Sequence, residues 1–230
     1  MKGVLLGTRM RLATLPTQPT QNESSRLVRT VFKRAELLDS SVLAVEHSTY
    51  FPSGRSPIHA EADSEEIIYF RRGHGRVLQG DKFVEVGPGS AVAIPSGIEH
   101  YVENTGTDTL EHILISVTLD GAVPPASAVS SDGAIVPHGT DGLQRLACHQ
   151  YRVAPGESTP YFDYPDRETV YAISSGFLVA HVKLPETEYE WQYSVDSSNC
   201  LWLPPERPHR FRNVGDCDAV ITVFLCLNGN

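Results

Sequence analysis

The chain has 230 residues, enough for one large domain or two of roughly 100 residues each. Its formal charge of −9 and pI near 5.4 exclude the basic face that nucleic acid or an anionic membrane surface requires. Composition is that of a soluble protein, 40% apolar and 20% charged, and no stretch approaches the ~18 apolar residues of a spanning helix.

The N-terminus, MKGVLLGTRMRLATLPTQ, has an apolar run too short for a secretory signal, so a cytoplasmic location is expected. Cys148, Cys200, Cys217 and Cys226 show no metal-ligand spacing and read as reduced thiols, with a Cys200–Cys217 bridge left open. Residues 1–40 read as an N-terminal arm. Within it RLVRTVFKRAELL fits a helix capped by Ser24 or Ser25 about as well as a strand. From Ser41 short β-branched and aromatic runs alternate with Gly, Pro and Asp turns every 8–12 residues, the pattern of an antiparallel sandwich or barrel. This pattern fills 41–119 and stops in an Ala/Ser/Pro/Gly/Asp-rich linker at 120–143. It resumes over 144–230.

The two halves read as a duplication. Gly54, His59, Glu61, Glu66 and Tyr69 have counterparts 102 positions on at Gly156, Tyr161, Asp163, Glu168 and Tyr171, and His47 matches His149. Pro95, His100, Asn104 and Gly106 match Pro204, His209, Asn213 and Gly215 at an offset of 109, the difference falling near PETEYEWQY.

Two blocks of the first half carry the chemistry. His59 and Glu61, two apart on a strand, leave by the same face, and Glu66 opens the next strand with Ile68 and Phe70 on its side. His100 follows the Pro95–Gly97 turn. Glu65 and Asp63 read as a solvated acidic turn, and Tyr69, of opposite parity to Glu66, as packing. His47, His112 and His181 carry no motif spacing.

These blocks resemble the two motifs of the cupin superfamily. The first stands here as Gly54, His59-Ala60-Glu61, Glu66 and Gly73, and the second as Gly89, Pro95-Ser96-Gly97, His100 and Asn104. The resemblance implies an all-β bicupin, two tandem jelly-roll barrels with a short N-terminal arm. It also implies a divalent metal in the first barrel, on His59, Glu61, Glu66 and His100. Glu61 stands where the family has a second histidine, which makes the donor set harder and leaves Glu61 either ligand or proton carrier. The set favours Fe(II), with Mn(II) or Zn(II) as alternatives. The second barrel retains Tyr161, Asp163, Glu168 and His209 as a weaker candidate site, and Glu206 replaces the glycine of the second motif.

The expected function is a metal-dependent enzyme acting on a small organic substrate, an iron oxygenase first. A redox-neutral isomerase, lyase or hydrolase stands second, and a non-catalytic binding module third. No nucleic-acid or membrane partner is expected, and homodimerisation is left open.

Overall fold

The computed structural model describes residues 10–37, 39–120, 133–184 and 187–227. In chain order its strands are β1 (Arg11–Thr14), β2 (Thr20–Glu23), β3 (Arg26–Lys33), β4 (Val42–Tyr50), β5 (Ser64–Arg72), β6 (Gly75–Gln79), β7 (Lys82–Val86), β8 (Ala91–Ile94) and β9 (His100–Asn104). They continue with β10 (Leu110–Thr118), β11 (Ala134–Val136), β12 (Leu146–Val153), β13 (Arg167–Ser175), β14 (Leu178–Lys183), β15 (Glu190–Val195), β16 (Asn199–Leu203), β17 (His209–Asn213) and β18 (Ala219–Leu227).

Each half is a jelly-roll barrel of two antiparallel sheets. In the first, the six-stranded sheet β2-β3-β4-β10-β5-β8 faces β7-β6-β9; in the second, β1-β16-β13-β18-β12-β11 faces β15-β14-β17. Ile68, Phe70, Val77, Val102 and Leu110 fill the first interior, and Tyr171, Leu201, Phe211 and Val223 the second. A third apolar layer joins the outer faces of the two large sheets, with Val45, Ile67 and Ile115 from one meeting Val170, Trp202 and Phe224 from the other. Strands β5 and β13 are therefore apolar on both faces, which is why EEIIYF does not alternate.

The arm belongs to both barrels. Strand β1 adds to β16 at the edge of the second barrel, whereas β2 and β3 extend the first. The segment that fitted a helix or a strand equally well is strand β3. Pairing with β4 satisfies its backbone, and a bulge between Thr30 and Phe32 lets Val28 face the interior while Val31 and Phe32 reach the inter-barrel layer. Of the expected linker, 121–132 lie outside the described residues, and β11 at its far end pairs with β12. Cys148, Cys200 and Cys226 are free and buried, and Cys217 is free and exposed. Among the described residues no helix is long and apolar enough to cross a membrane.

The register corrects the internal repeat. Tyr50 pairs with Leu110, Tyr69 with Ala91 and Gly75 with Asn104; in the second barrel the corresponding pairs are Val153 with Ala219, Ala172 with Cys200 and Leu178 with Asn213. The offset is thus 103 through β6 and 109 from β7 onward, and the six extra residues fall between β14 and β15. The offset of 102 matched Glu66 and Tyr69 to Glu168 and Tyr171, one residue out of register. In a strand one residue is the difference between the two faces of the sheet.

Motif residues common to both barrels do the same structural work. The Asn104 amide donates to the carbonyls of Tyr50, Phe51 and Asp108 and accepts from Gly106 N–H. Asn213 repeats this with Val153, Cys217 and Gly215. Gly97 turns with φ +77°, and its counterpart Glu206 takes φ +58° with a side chain attached. Glu206→Gly is expected to stabilise the chain by about 0.5–1 kcal/mol in urea unfolding, the strain relieved outweighing the entropy that glycine gains when unfolded.

Candidate metal centre

The two motif segments are stitched together by their backbones. His59 and His100 form a bridge with both hydrogen bonds made, His59 N–H to His100 O at 3.2 Å and His100 N–H to His59 O at 2.8 Å. Gly97 N–H donates to Glu61 O at 2.8 Å, and Ser96 Oγ donates to Ala62 O. The imidazoles of His59 and His100 consequently lie side by side, centroids 4.2 Å apart. Glu66 comes from the facing sheet, on the face of β5 shared with Ile68 and Phe70.

One ligand atom from each of His59, Glu66 and His100 lies within 4.8 Å of the others. His59 Nδ1 sits 3.1 Å from the Pro57 carbonyl and His100 Nδ1 3.0 Å from the Ile98 carbonyl. Each contact holds the proton on Nδ1 and leaves Nε2 with a free lone pair, as a metal-ligating histidine requires. His100 Nε2 and Glu66 Oε2 face each other at 3.1 Å without hydrogen-bond geometry, and neither has another partner among the described residues. Both residues are buried, so the pair needs a positive charge between its two atoms, which either a proton on His100 or a bound cation supplies. Burial pulls His100 down, but the Glu66 carboxylate and the Ile98 carbonyl, with Glu61 further off, outweigh it and hold the imidazole above its ordinary value. The donor set of two imidazoles and one carboxylate fits a divalent ion with open positions.

Glu61 is not one of the converging groups: its side chain is exposed, although its charge reaches His100. Ile68, Phe70 and Val102 line the interior as expected. Tyr69 faces outward, its hydroxyl 3.0 Å from Ser174 Oγ and from Gln150 Nε2 of the second barrel. His112 is buried against Tyr50 and Phe70, and burial pushes it down to about 3. Glu65, read from sequence as part of a solvated turn, is only 1% exposed. Its carboxylate accepts the backbone N–H groups of Gln144, Arg145 and Leu146, each at 2.7 Å.

The second constellation does not assemble. Glu168 points to the inter-barrel layer, where it accepts from Ser40 Oγ, from Ser41 N–H at 2.6 Å and from Trp202 Nε1 at 2.7 Å. Tyr161 lies at the surface against Glu190, beneath Lys183 and Arg210, and Asp163 is exposed. Only His209 faces the interior. In the corrected register the partners of His59, Glu61 and Glu66 are Phe162, Tyr164 and Thr169, so two aromatic rings and a hydroxyl stand where the ligands would be. His209 is itself satisfied, Nε2 by the Tyr171 hydroxyl and Nδ1 by the Arg207 carbonyl.

Burial holds His209 neutral, pushed down to about 4 from an ordinary 6.5. A histidine lowered on folding supports the fold above its unfolded value, and that support is lost as pH falls through the folded one. Melting temperature is therefore expected to fall between pH 6.5 and about 4. His209→Phe should make that slope shallower in scanning calorimetry, with His112 among the groups contributing the rest.

Fold and site together define a jelly-roll barrel with a two-histidine, one-carboxylate cluster at its mouth, His59 exposed and Glu66 and His100 buried. A family model described as cupin domain matches residues 47–116, most of the first barrel. Among solved structures the chain is similar to the oxalate decarboxylase of Lactobacillus farciminis in its formate complex, with 12% identity, TM-score 0.77, and 94% of this chain and 86% of that one covered. It is similar too to a point mutant of the Bacillus subtilis oxalate decarboxylase, with 15% identity, TM-score 0.77, and 96% and 78% covered. No curated protein matches the chain.

Proposed function

We propose that the chain is a bicupin whose first barrel is a metal-dependent enzyme site for a small organic acid. The observation that carries this reading is the convergence of His59, Glu66 and His100, with both Nδ1 atoms committed to backbone carbonyls and the buried His100 Nε2 and Glu66 Oε2 facing only each other. A divalent ion held there supplies Lewis acidity and an anchor for substrate oxygens. The chain's own residues set the surroundings. Ile68, Phe70, Val77 and Val102 keep water from the inner side, and exposed Glu61 stands at the mouth beside the histidines as a proton carrier to solvent. The second barrel, with Phe162, Tyr164 and Thr169 at the ligand positions, serves as scaffold.

A redox-neutral lyase stands first, supported by the resemblance of the fold to oxalate decarboxylases, with Mn(II) among the ions the donor set accepts. An Fe(II) oxygenase stands second, favoured by the three-ligand face with open positions. Elemental analysis of protein purified without oxygen, followed by CO₂ release and O₂ uptake with oxalate and other small carboxylic acids, separates the two. CO₂ without net O₂ uptake selects the lyase, and stoichiometric O₂ uptake on an iron-loaded protein selects the oxygenase. Protein that takes up no metal overturns both and leaves a binding module.

A further inference from the structure

Glu46 is the unassigned acid of the first barrel. It lies in the middle of β4, on the face shared with Ala44, Ser48 and Tyr50, and the ladder sets it opposite Leu114, which is in turn opposite Ile68. Ile68 and Tyr50 are interior residues, so Glu46 points inward too. The adjacent rung on that face runs Ala44, Ser116, Glu66. Glu46 and the metal-site carboxylate therefore project from the same sheet into the same space. Ala44, Glu46 and Leu114 are partly accessible where Ile68, Phe70 and Val77 are sealed, so the interior is open along this side.

The Glu46 carboxylate has no hydrogen bond or ion pair among the described residues. Charged groups around it come from each neighbouring strand: Glu23 on β2, Arg26 and Lys33 on β3, Glu66 on β5. Arg26 is already occupied, by Glu23 at 2.7 Å and the Tyr50 hydroxyl at 3.0 Å. Burial above all, with the charge of Glu66, pushes the carboxyl up against the pull of Arg26. A half-buried carboxylate without a partner opposes folding, and such groups concentrate where a site has a use for them.

We propose that Glu46 is the acid/base residue of the first barrel, exchanging a proton with substrate held at the His59–Glu66–His100 site. This rests on the metal-site reading above. In the bond-breaking direction the Glu46 carboxyl gives its O–H proton to the substrate atom left with the electron pair. It becomes a carboxylate and is reprotonated by water through the accessible side.

The test uses Zn(II) alone as probe, with infrared titration of the carboxyl band that Glu46→Gln removes. Zinc stoichiometry is measured first. No uptake by the parent protein overturns the metal-site reading and this proposal with it. Where zinc binds, the Glu46 titration is expected to move down by at least about one pH unit on loading, because a cation facing the carboxylate favours its charged form. An unmoved titration overturns the proposal and leaves the metal site standing. Glu46→Gln is expected to keep zinc affinity within about fivefold of the parent and to raise the melting temperature, as relief of an unpartnered buried charge should. A lowered melting temperature marks a structural role instead and overturns the proposal.

Discussion

His100→Ala is expected to abolish metal binding, with affinity for Mn(II) or Zn(II) falling by more than the roughly 100-fold that loss of a mere supporting contact costs. Three features make the effect large. His100 supplies one of only two nitrogens in the cluster. Its Nδ1 is fixed by Ile98 and its backbone by His59, and among the described residues no other His, Cys, Asp or Glu converges on the cluster. Its removal also leaves Glu66 facing an empty space from a position only 6% exposed. Glu66→Gln, which keeps shape and removes charge, should show the same loss with less effect on the fold. Calorimetric titration with each metal reads the affinities. Binding by His100→Ala at parental strength would place the ion elsewhere.

Glu65→Ala should cause a large loss of stability, because this buried acid joins the two barrels. Three backbone N–H groups at the start of β12 depend on this carboxylate, and each bond to a charged acceptor contributes about 1.5–3 kcal/mol. Because the three are not additive, about 4 kcal/mol is the expected total, a fall in melting temperature of roughly 8–16 °C for a chain of this size. A change below about 2 °C in scanning calorimetry would show that water replaces the carboxylate without cost. Glu168 is the reciprocal group, tying the second barrel to Ser40 and Ser41 of the first. Burial, against its three donors, leaves its carboxyl raised. A raised acid supports the fold most at low pH and loses that support as pH rises through its folded value. Glu168→Gln should therefore be milder at neutral pH than Glu65→Gln.

Much of this architecture is legible in the residues. The spacing of turn residues marks strands, and Gly54–His59–Glu66 with Pro95–Gly97–His100–Asn104 marks the site. The backbone bonds that join Glu61 to Gly97 and His59 to His100 explain why those spacings hold. What the residues do not display is which face of β13 is inside. Both of its faces are apolar, so no alternation fixes the parity, and two chance identities at a slip of one drew Glu168 into a site it does not face. Glu65 hid for a related reason. An acid beside a turn looks solvated unless the other barrel, some 80 residues on, is known to cover it. Glu46 carries no motif spacing at all; only the pairing of β4 with β10 turns it inward.

The position of β1 has a consequence for how the molecule is made. Arg11 pairs with Trp202, so the earliest described strand completes its sheet only after almost all of the chain exists. Pairings this distant in sequence slow folding, because the closure of a long loop must precede its reward. The strand that follows, β2, belongs to the other barrel. Neither barrel is therefore complete without a strand drawn from the N-terminal arm. Cutting between them would strip an edge strand from the second barrel and expose the apolar faces of both large sheets. The protein should therefore unfold in a single transition.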